Sequence, residues 1–194
     1  MDNKIPCWWL EETSLFEPWA YAEVFTSDEC DRIKEYCETL DLEDAHINEN
    51  SVNHDIRRNK VAWLDTKDDT CKWVYETMTR VVSDINKQIW EFDLHYIENI
   101  QYTKYSEVGD KYNPHIDTMY NNLCRKLSFS VQLDDSDAYE GSNLLIHHAV
   151  TPIKGIRKKG TINFFPSFML HNVTPLESGE RNALVGWVCG PKFK

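Results

Sequence analysis

RKLSFSVQL, residues 125–133, sets Leu127, Phe129, Val131 and Leu133 in strict alternation with Ser128, Ser130 and Gln132. Successive side chains of an extended chain point to opposite faces, so a period of two predicts a β-strand with one apolar face. Outward from it, further strands are predicted at 97–105, 142–147, 161–165 and 183–189. Turn-forming runs such as DDSDAYEGSN (134–143) separate them. Several short strands in series imply an antiparallel sandwich or barrel.

The first half has a different period. Thr26 and Glu29 have the spacing of a capping box, and Cys30, Ile33, Cys37 and Leu40 then recur at helical intervals. A second helix is predicted over 68–90, with Val74, Met78, Val81, Ile85 and Ile89 on one stripe. The polar stretch between, 43–60, has no clear period. It reads as a solvated loop; the alternative is a mobile flap that brings Arg57 or Arg58 to a substrate. Helices first and strands later give an α+β chain whose helices brace a jelly-roll-like core. We read it as a single domain over 1–194, with mainly helical support and flap in 1–95 and the β core in 96–194.

Bulk properties exclude several classes. The chain has 194 residues, enough for one buried core, and 41% of them are apolar, which argues against intrinsic disorder. Its 21 basic and 32 acidic side chains give a net charge of −11. Broad contact with nucleic-acid phosphates needs the opposite sign, whereas one small anion at a focused site does not. The six cysteines form no C-x-x-C pair and no zinc-finger spacing, which suggests reduced core thiols and a cytoplasmic setting. No signal peptide and no stretch of membrane-spanning length is visible. The sequon Asn172-Val173-Thr174 abuts His171, where a glycan would be hard to accommodate.

The chemistry-bearing residues start with YNPHIDTMY (112–120). His115 and Asp117 are two apart, so on extended backbone both reach the same side and can share a metal. His171, after an apolar strand in FFPSFMLHNVTP, is the candidate third ligand. Two imidazoles and one carboxylate on one face of iron leave three positions open, as oxygen chemistry with a chelating co-substrate requires. H-x-D alone is weak, because most such pairs are surface loops or hydrogen-bonded core groups. Three features add weight. Arg181 opens a mainly apolar strand, so if it points inward its charge needs an anion; the alternative is a surface salt bridge at a strand end. Trp187, six residues on, shares its face if the strand is regular. Pro175 and Gly179 turn the chain between His171 and Arg181, and Tyr105 lies on a preceding strand with a hydroxyl to donate, or as an ordinary core tyrosine. His46, His54 and His95 lack ligand-like partners, and His147 and His148 point to opposite faces of a strand.

YTKYSEVGDKYNPHID (102–117), RKLSFSVQLDDSDAYEGSNLLI (125–146) and KGTINFFPSFMLHNVTPLESGERNALVGWVCGP (159–191) resemble, in this order, the prolyl 4-hydroxylase branch of the 2-oxoglutarate/Fe(II) dioxygenases. The resemblance covers roughly 97–192. It implies a double-stranded β-helix core of cupin-like type, with His115, Asp117 and His171 as iron ligands and Arg181 as the 2-oxoglutarate anchor. Tyr105 matches a co-substrate contact, and Tyr112, Arg125 and Trp187 match positions on the substrate side of the iron. Gln132 replaces a tyrosine that in some relatives bonds the distal carboxylate, and Ser142 and Asn143 replace the usual Gly-Glu. The implied cofactors are Fe(II), 2-oxoglutarate and O2, with ascorbate as a compatible accessory. The implied reaction hydroxylates an unactivated C–H bond, with a prolyl residue of a peptide or protein as the favoured substrate and succinate and CO2 released. A free amino acid or small metabolite is the alternative substrate. Nucleic-acid demethylases of the superfamily carry a second arginine where Trp187 stands here. A non-catalytic binding module and a zinc hydrolase are the remaining alternatives, and the hydrolase would not need Arg181.

Overall fold

A computed structural model describes residues 16–46, 52–118 and 124–193. In chain order its elements begin with β1 (Ala20–Glu23), α1 (Ser27–Cys37), β2 (Glu43–Asp44), β3 (Arg57–Arg58), β4 (Lys60–Trp63) and α2 (Lys72–Ile89). They continue with β5 (Tyr96–Ile97), β6 (Gln101–Tyr105), β7 (Lys111–His115), β8 (Arg125–Gln132), β9 (Tyr139–Gly141) and β10 (Leu144–His147). The last are β11 (Ile153–Lys154), β12 (Thr161–Pro166), β13 (Leu170–Val173), β14 (Leu176–Gly179) and β15 (Arg181–Cys189).

The major sheet runs β1-β12-β8-β15-β6-β4-β2, with β5 paired to the end of β15. The minor sheet runs β11-β10-β13-β7-β3, and β9 and β14 pair as a small ribbon. Every pairing is antiparallel. The two facing sheets and two bracing helices are the α+β double-stranded β-helix expected from the sequence.

The helices cover the back of the major sheet. Thr26 caps α1: its hydroxyl accepts from the Glu29 amide, and the Glu29 carboxylate accepts from the Thr26 amide. Such a cap contributes roughly 1 kcal/mol. Cys30, Ile33 and Cys37 of α1 and Val74, Met78 and Val82 of α2 are buried against Tyr102, Leu127, Phe129, Val131, Ile162, Phe164 and Leu184. Burial of each large aliphatic side chain contributes about 2 kcal/mol before entropy is charged against it.

The apolar face of β8 is therefore the helix-facing one. Its polar face does not meet solvent: every residue of β8 is buried. Ser128, Ser130 and Gln132 look into the space between the sheets, where hydrogen bonds replace water.

Several boundaries differ from the sequence reading. The first half also contributes β1 to β4, all of four residues or fewer, too short to show a period. The stretch 43–60 is not a plain solvated loop. Its ends form β2 and β3, and Ala45, Arg57 and Asn59 are buried; residues 47–51 of the flap alternative lie outside the described residues. The strand expected over 97–105 breaks between β5 and β6, where the Glu98 amide bonds the Trp187 carbonyl and the Ile100 carbonyl accepts from Leu64. Ser142 has φ 44°, which delays β10 to Leu144. The helix expected from 68 begins at Lys72, because 68–71 turn through bonds to the Asp65 and Asp68 carbonyls. Cys30, Cys37, Cys71, Cys124 and Cys189 are all free thiols. Cys7 lies outside the described residues. Among the described residues no helix is long and apolar enough to cross a membrane.

Candidate metal and co-substrate site

His115 ends β7 and stands directly opposite His171 of β13, with ring centroids 4.1 Å apart. Asp117 follows two residues later, fixed by bonds from its own amide and that of Thr118 to the Ser167 carbonyl. One ligand atom from each of the three residues lies within 4.8 Å of the others.

Each imidazole is held by its Nδ1, His115 on the Asn113 carbonyl at 2.8 Å and His171 on the Met169 carbonyl at 2.9 Å. A carbonyl only accepts, so both Nδ1 atoms donate and the two Nε2 atoms are the ones left to serve as ligands. Those Nε2 atoms face Asp117, at 3.7 Å from His115 and 3.3 Å from His171. The Ser128 hydroxyl donates to Asp117 Oδ2 at 2.8 Å and lies 2.9 Å from the Ser167 hydroxyl. Tyr112 stacks on the His115 ring at 3.5 Å.

Burial, followed by the charge of His171, pushes the His115 pKa down to about 4. Burial alone would raise the Asp117 carboxyl; the two imidazoles and the Ser128 hydroxyl outweigh it and hold the carboxyl below its usual range. At neutral pH His115 is therefore neutral and Asp117 ionised, and two imidazoles with one carboxylate are a donor set that suits Fe(II).

A cavity of about 560 Å³ opens from this set along the inner face of the major sheet. Arg181 lies at its inner end, 2% exposed and opposite Tyr105. Its Nε donates to Gln132 Oε1 at 3.0 Å and its Nη2 reaches Ser130 Oγ at 3.4 Å. Its guanidinium lies 5.4 Å from the Tyr105 ring centre. Among the described residues no carboxylate pairs with it. A buried guanidinium with neutral partners alone is expensive, and a small anion at this place would supply the missing charge. Trp187 lines the same cavity as Arg181, and its buried indole N–H lies on the side of the Asp117 carboxylate, which it helps hold below its usual range. The residues present therefore fit a metal and an anionic chelator.

The nine residues singled out from the sequence all fall at this place. Tyr105, Tyr112, His115, Asp117, Arg125, His171, Arg181 and Trp187 line the cavity, and Gln132 holds Arg181. Arg125 pairs in bidentate fashion with Glu98, at 2.6–2.7 Å, and lies 3.9 Å over the Trp187 ring. Sequence reasoning missed Glu98, Ser128, Ser130, Ser167 and Trp63, which lines the cavity with its ring 6.3 Å from that of Trp187. The serines of β8 were visible as the polar half of its alternation. Nothing local marked the other three: Ser167 stands within the His171 stretch as an ordinary polar residue, and Glu98 and Trp63 come from elements distant in sequence.

Residues 100–189 match the family model of the 2OG-Fe(II) oxygenase superfamily. A PKHD-type hydroxylase of Synechococcus sp. strain CC9605 is 40% identical over 85 residues, covering 43% of this chain and 38% of that relative. One from Prochlorococcus marinus strain MIT 9301 is 38% identical over 93 residues, covering 47% and 41%. The matches thus span about two-fifths of the length of these relatives. Among solved structures, a Pseudomonas putida prolyl-4-hydroxylase superposes with TM-score 0.73 at 21% identity, covering 90% of this chain and 94% of that one. A Trichoplax adhaerens prolyl hydroxylase in complex with a hypoxia inducible factor peptide fragment gives 0.75 at 17%, covering 89% and 83%. The 2OG complex of a viral collagen prolyl hydroxylase from Paramecium Bursaria Chlorella virus-1 gives 0.69 at 18%, covering 90% and 97%. At these identities the structural likeness establishes the fold.

Proposed function

We propose that this chain, whose residues 100–189 carry a 2OG-Fe(II) oxygenase domain, is an Fe(II)- and 2-oxoglutarate-dependent dioxygenase. In this reading it hydroxylates an unactivated C–H bond, with a prolyl residue of a peptide or protein as substrate. One observation carries the reading: His115, Asp117 and His171 converge beside a cavity that is also lined by the buried Arg181, which has no carboxylate partner among the described residues. The names of the relatives, PKHD-type hydroxylases and prolyl hydroxylases, support the choice of substrate.

Fe(II) and 2-oxoglutarate, when bound with O2, supply the oxidising equivalent and release succinate and CO2. The chain's own work is positioning and shielding. His115 offers its Nε2 lone pair without first losing a proton, His171 turns its Nε2 toward the same point, and Ser128 orients Asp117 toward them. Arg181, steadied by Gln132 and Ser130, takes the distal carboxylate of the co-substrate. The Tyr105 hydroxyl is a donor along the same path. Trp187, with the Arg125–Glu98 pair on its face, and Tyr112 form the walls against which a substrate lies.

The test is turnover. Fe(II)-loaded protein with 2-oxoglutarate and O2 is expected to release succinate, and to add one oxygen atom to a member of a proline-containing peptide library, read by mass spectrometry. Neither succinate above the metal-free background nor a hydroxylated peptide would sink the proposal. Hydroxylation of free amino acids with no peptide modified would transfer it to small substrates.

A further inference from the structure

Arg57 is, with Arg181, one of two buried cations of the cavity with which no carboxylate among the described residues pairs. It is 8% exposed and belongs to β3, at the edge of the minor sheet. Just after it the chain crosses at Asn59 to β4 of the major sheet. Its Nε donates to Asn59 Oδ1 at 2.9 Å, its Nη2 to Gln101 Oε1 at 2.8 Å and its Nη1 to the His46 carbonyl at 3.3 Å. Its guanidinium lies 4.6 Å over the Tyr112 ring, whose other neighbour is the His115 imidazole at 3.5 Å. All these partners are neutral. The nearby carboxylate, Asp110, is taken by the more exposed Arg58 at 2.9 Å. Arg57 therefore keeps its charge out of water, and among the described residues two of its five N–H donors are uncommitted.

Charge balance says what those donors face. Among the cavity-lining residues the buried charges are Arg57, Arg181, Asp117 and Arg125, and Glu98 neutralises Arg125. Glu43 also lines the cavity but is exposed to solvent. Fe(II) and the dianion of 2-oxoglutarate cancel one another. Asp117 then offsets only one of the two remaining arginines. Counted over the described residues, a loaded site is left one negative charge short, in a place where an uncompensated charge is costly.

We propose that Arg57 recognises a carboxylate of the primary substrate, held beside the carbon that is hydroxylated. The substrate class is thus a residue that carries a free carboxylate, either its own terminal one or that of an acidic neighbour. This inference rests on the proposed function and narrows its substrate. Arg181 serves the co-substrate, and Arg57, against Tyr112 and the metal-ligand end of the cavity, serves the substrate.

The experiment uses the full chain with Zn(II) in place of iron and N-oxalylglycine in place of 2-oxoglutarate, so that binding is read without turnover. The probes are two acid/amide pairs: acetyl-proline against acetyl-prolinamide, and acetyl-Pro-Asp-amide against acetyl-Pro-Asn-amide. Dissociation constants are measured by NMR titration for wild type, Arg57→Gln and Arg57→Lys. At least one acid is expected to bind about tenfold more tightly than its amide. That ratio should fall to about one in Arg57→Gln and survive in part in Arg57→Lys, which keeps the charge and guards against a misfolded Gln variant. The first pair reports a terminal carboxylate and the second an acidic neighbour. Equal binding within both pairs, or a preference that persists in Arg57→Gln, overturns the inference alone. If Arg57→Gln instead weakens N-oxalylglycine as much as Arg181→Gln does, Arg57 belongs to the co-substrate and the inference also falls. Wild type that does not bind N-oxalylglycine overturns both the inference and the proposed function.

Discussion

Asp117 Oδ2 accepts the Ser128 hydroxyl at 2.8 Å, which ties a candidate metal ligand from the β7–β8 connection to the polar face of the central strand. This bond leaves the carboxylate with one preferred orientation toward the two Nε2 atoms. Removing a supporting bond of this kind costs about 10- to 100-fold in metal affinity in comparable sites. Ser128→Ala should therefore fold normally and bind Fe(II) about tenfold or more weakly, as measured by anaerobic competition with a chelator. Unchanged affinity would show that the Ser128–Asp117 bond does not orient the ligand.

Arg181 should affect the co-substrate and leave the metal alone. Arg181→Gln removes the charge that faces the distal carboxylate, while Gln132, Ser130 and Tyr105 remain. The expected result is a rise of about 100-fold or more in the 2-oxoglutarate concentration needed for half-maximal succinate release, with Fe(II) affinity within about twofold of wild type. Parallel loss of both affinities would point instead to a collapsed cavity.

The pH dependence of metal-free stability follows from His115. Burial and the neighbouring His171 hold its folded pKa at about 4, against about 6.5 in an unfolded chain. The folded value is the lower one, so between those pH values the unfolded chain binds the extra proton. Stability must then fall as pH drops from about 6.5 toward 4 and level off below. Asp117, with its lowered carboxyl, acts at and below the ordinary carboxylate range, outside most of that window. Urea unfolding of metal-free protein at pH 7 and pH 4.5 should give a smaller difference in His115→Gln than in wild type. Equal differences would mean that His115 is not buried neutral.

Gly186 sits in the middle of β15 above the Phe129 ring. A Cβ placed there would come within 2.2 Å of the ring, against a fully buried side chain that has no room to retreat. Gly186→Ala should cost about 1–3 kcal/mol of stability through overpacking, seen as a lower unfolding midpoint in urea. A neutral substitution would show that the core at Phe129 yields.

How much of this was legible depends on range. The alternation of β8, the capping box at Thr26 and the paired spacing of His115 and Asp117 are local, and local patterns survive into the fold. The Arg181–Trp187 spacing also held, because β15 is regular enough over those residues to keep both on the cavity side. What failed were features set by distant partners. β1 exists because Ala20–Glu23 pairs with 161–164, and β2 because Glu43–Asp44 pairs with 60–61. Strands this short have no period to read. The burial of β8 on both faces was hidden for a related reason: serines and a glutamine read as solvent-facing until the second sheet and its buried charges are in place. Arg57 entered only through the flap alternative, in which it or Arg58 would reach a substrate; the crossing at Asn59 is what turns it into the cavity.

The most direct measurement is anaerobic visible spectroscopy of the purified protein with Fe(II) and 2-oxoglutarate, in wild type, His171→Ala and Arg181→Ala. Chelation of Fe(II) by the keto-acid gives a weak charge-transfer band. The expected result is a band in wild type, none in His171→Ala, and a weakened one in Arg181→Ala at the same 2-oxoglutarate concentration. Folded, iron-loaded wild type without the band would contradict assignment of His115, Asp117, His171 and Arg181 to one dioxygenase centre.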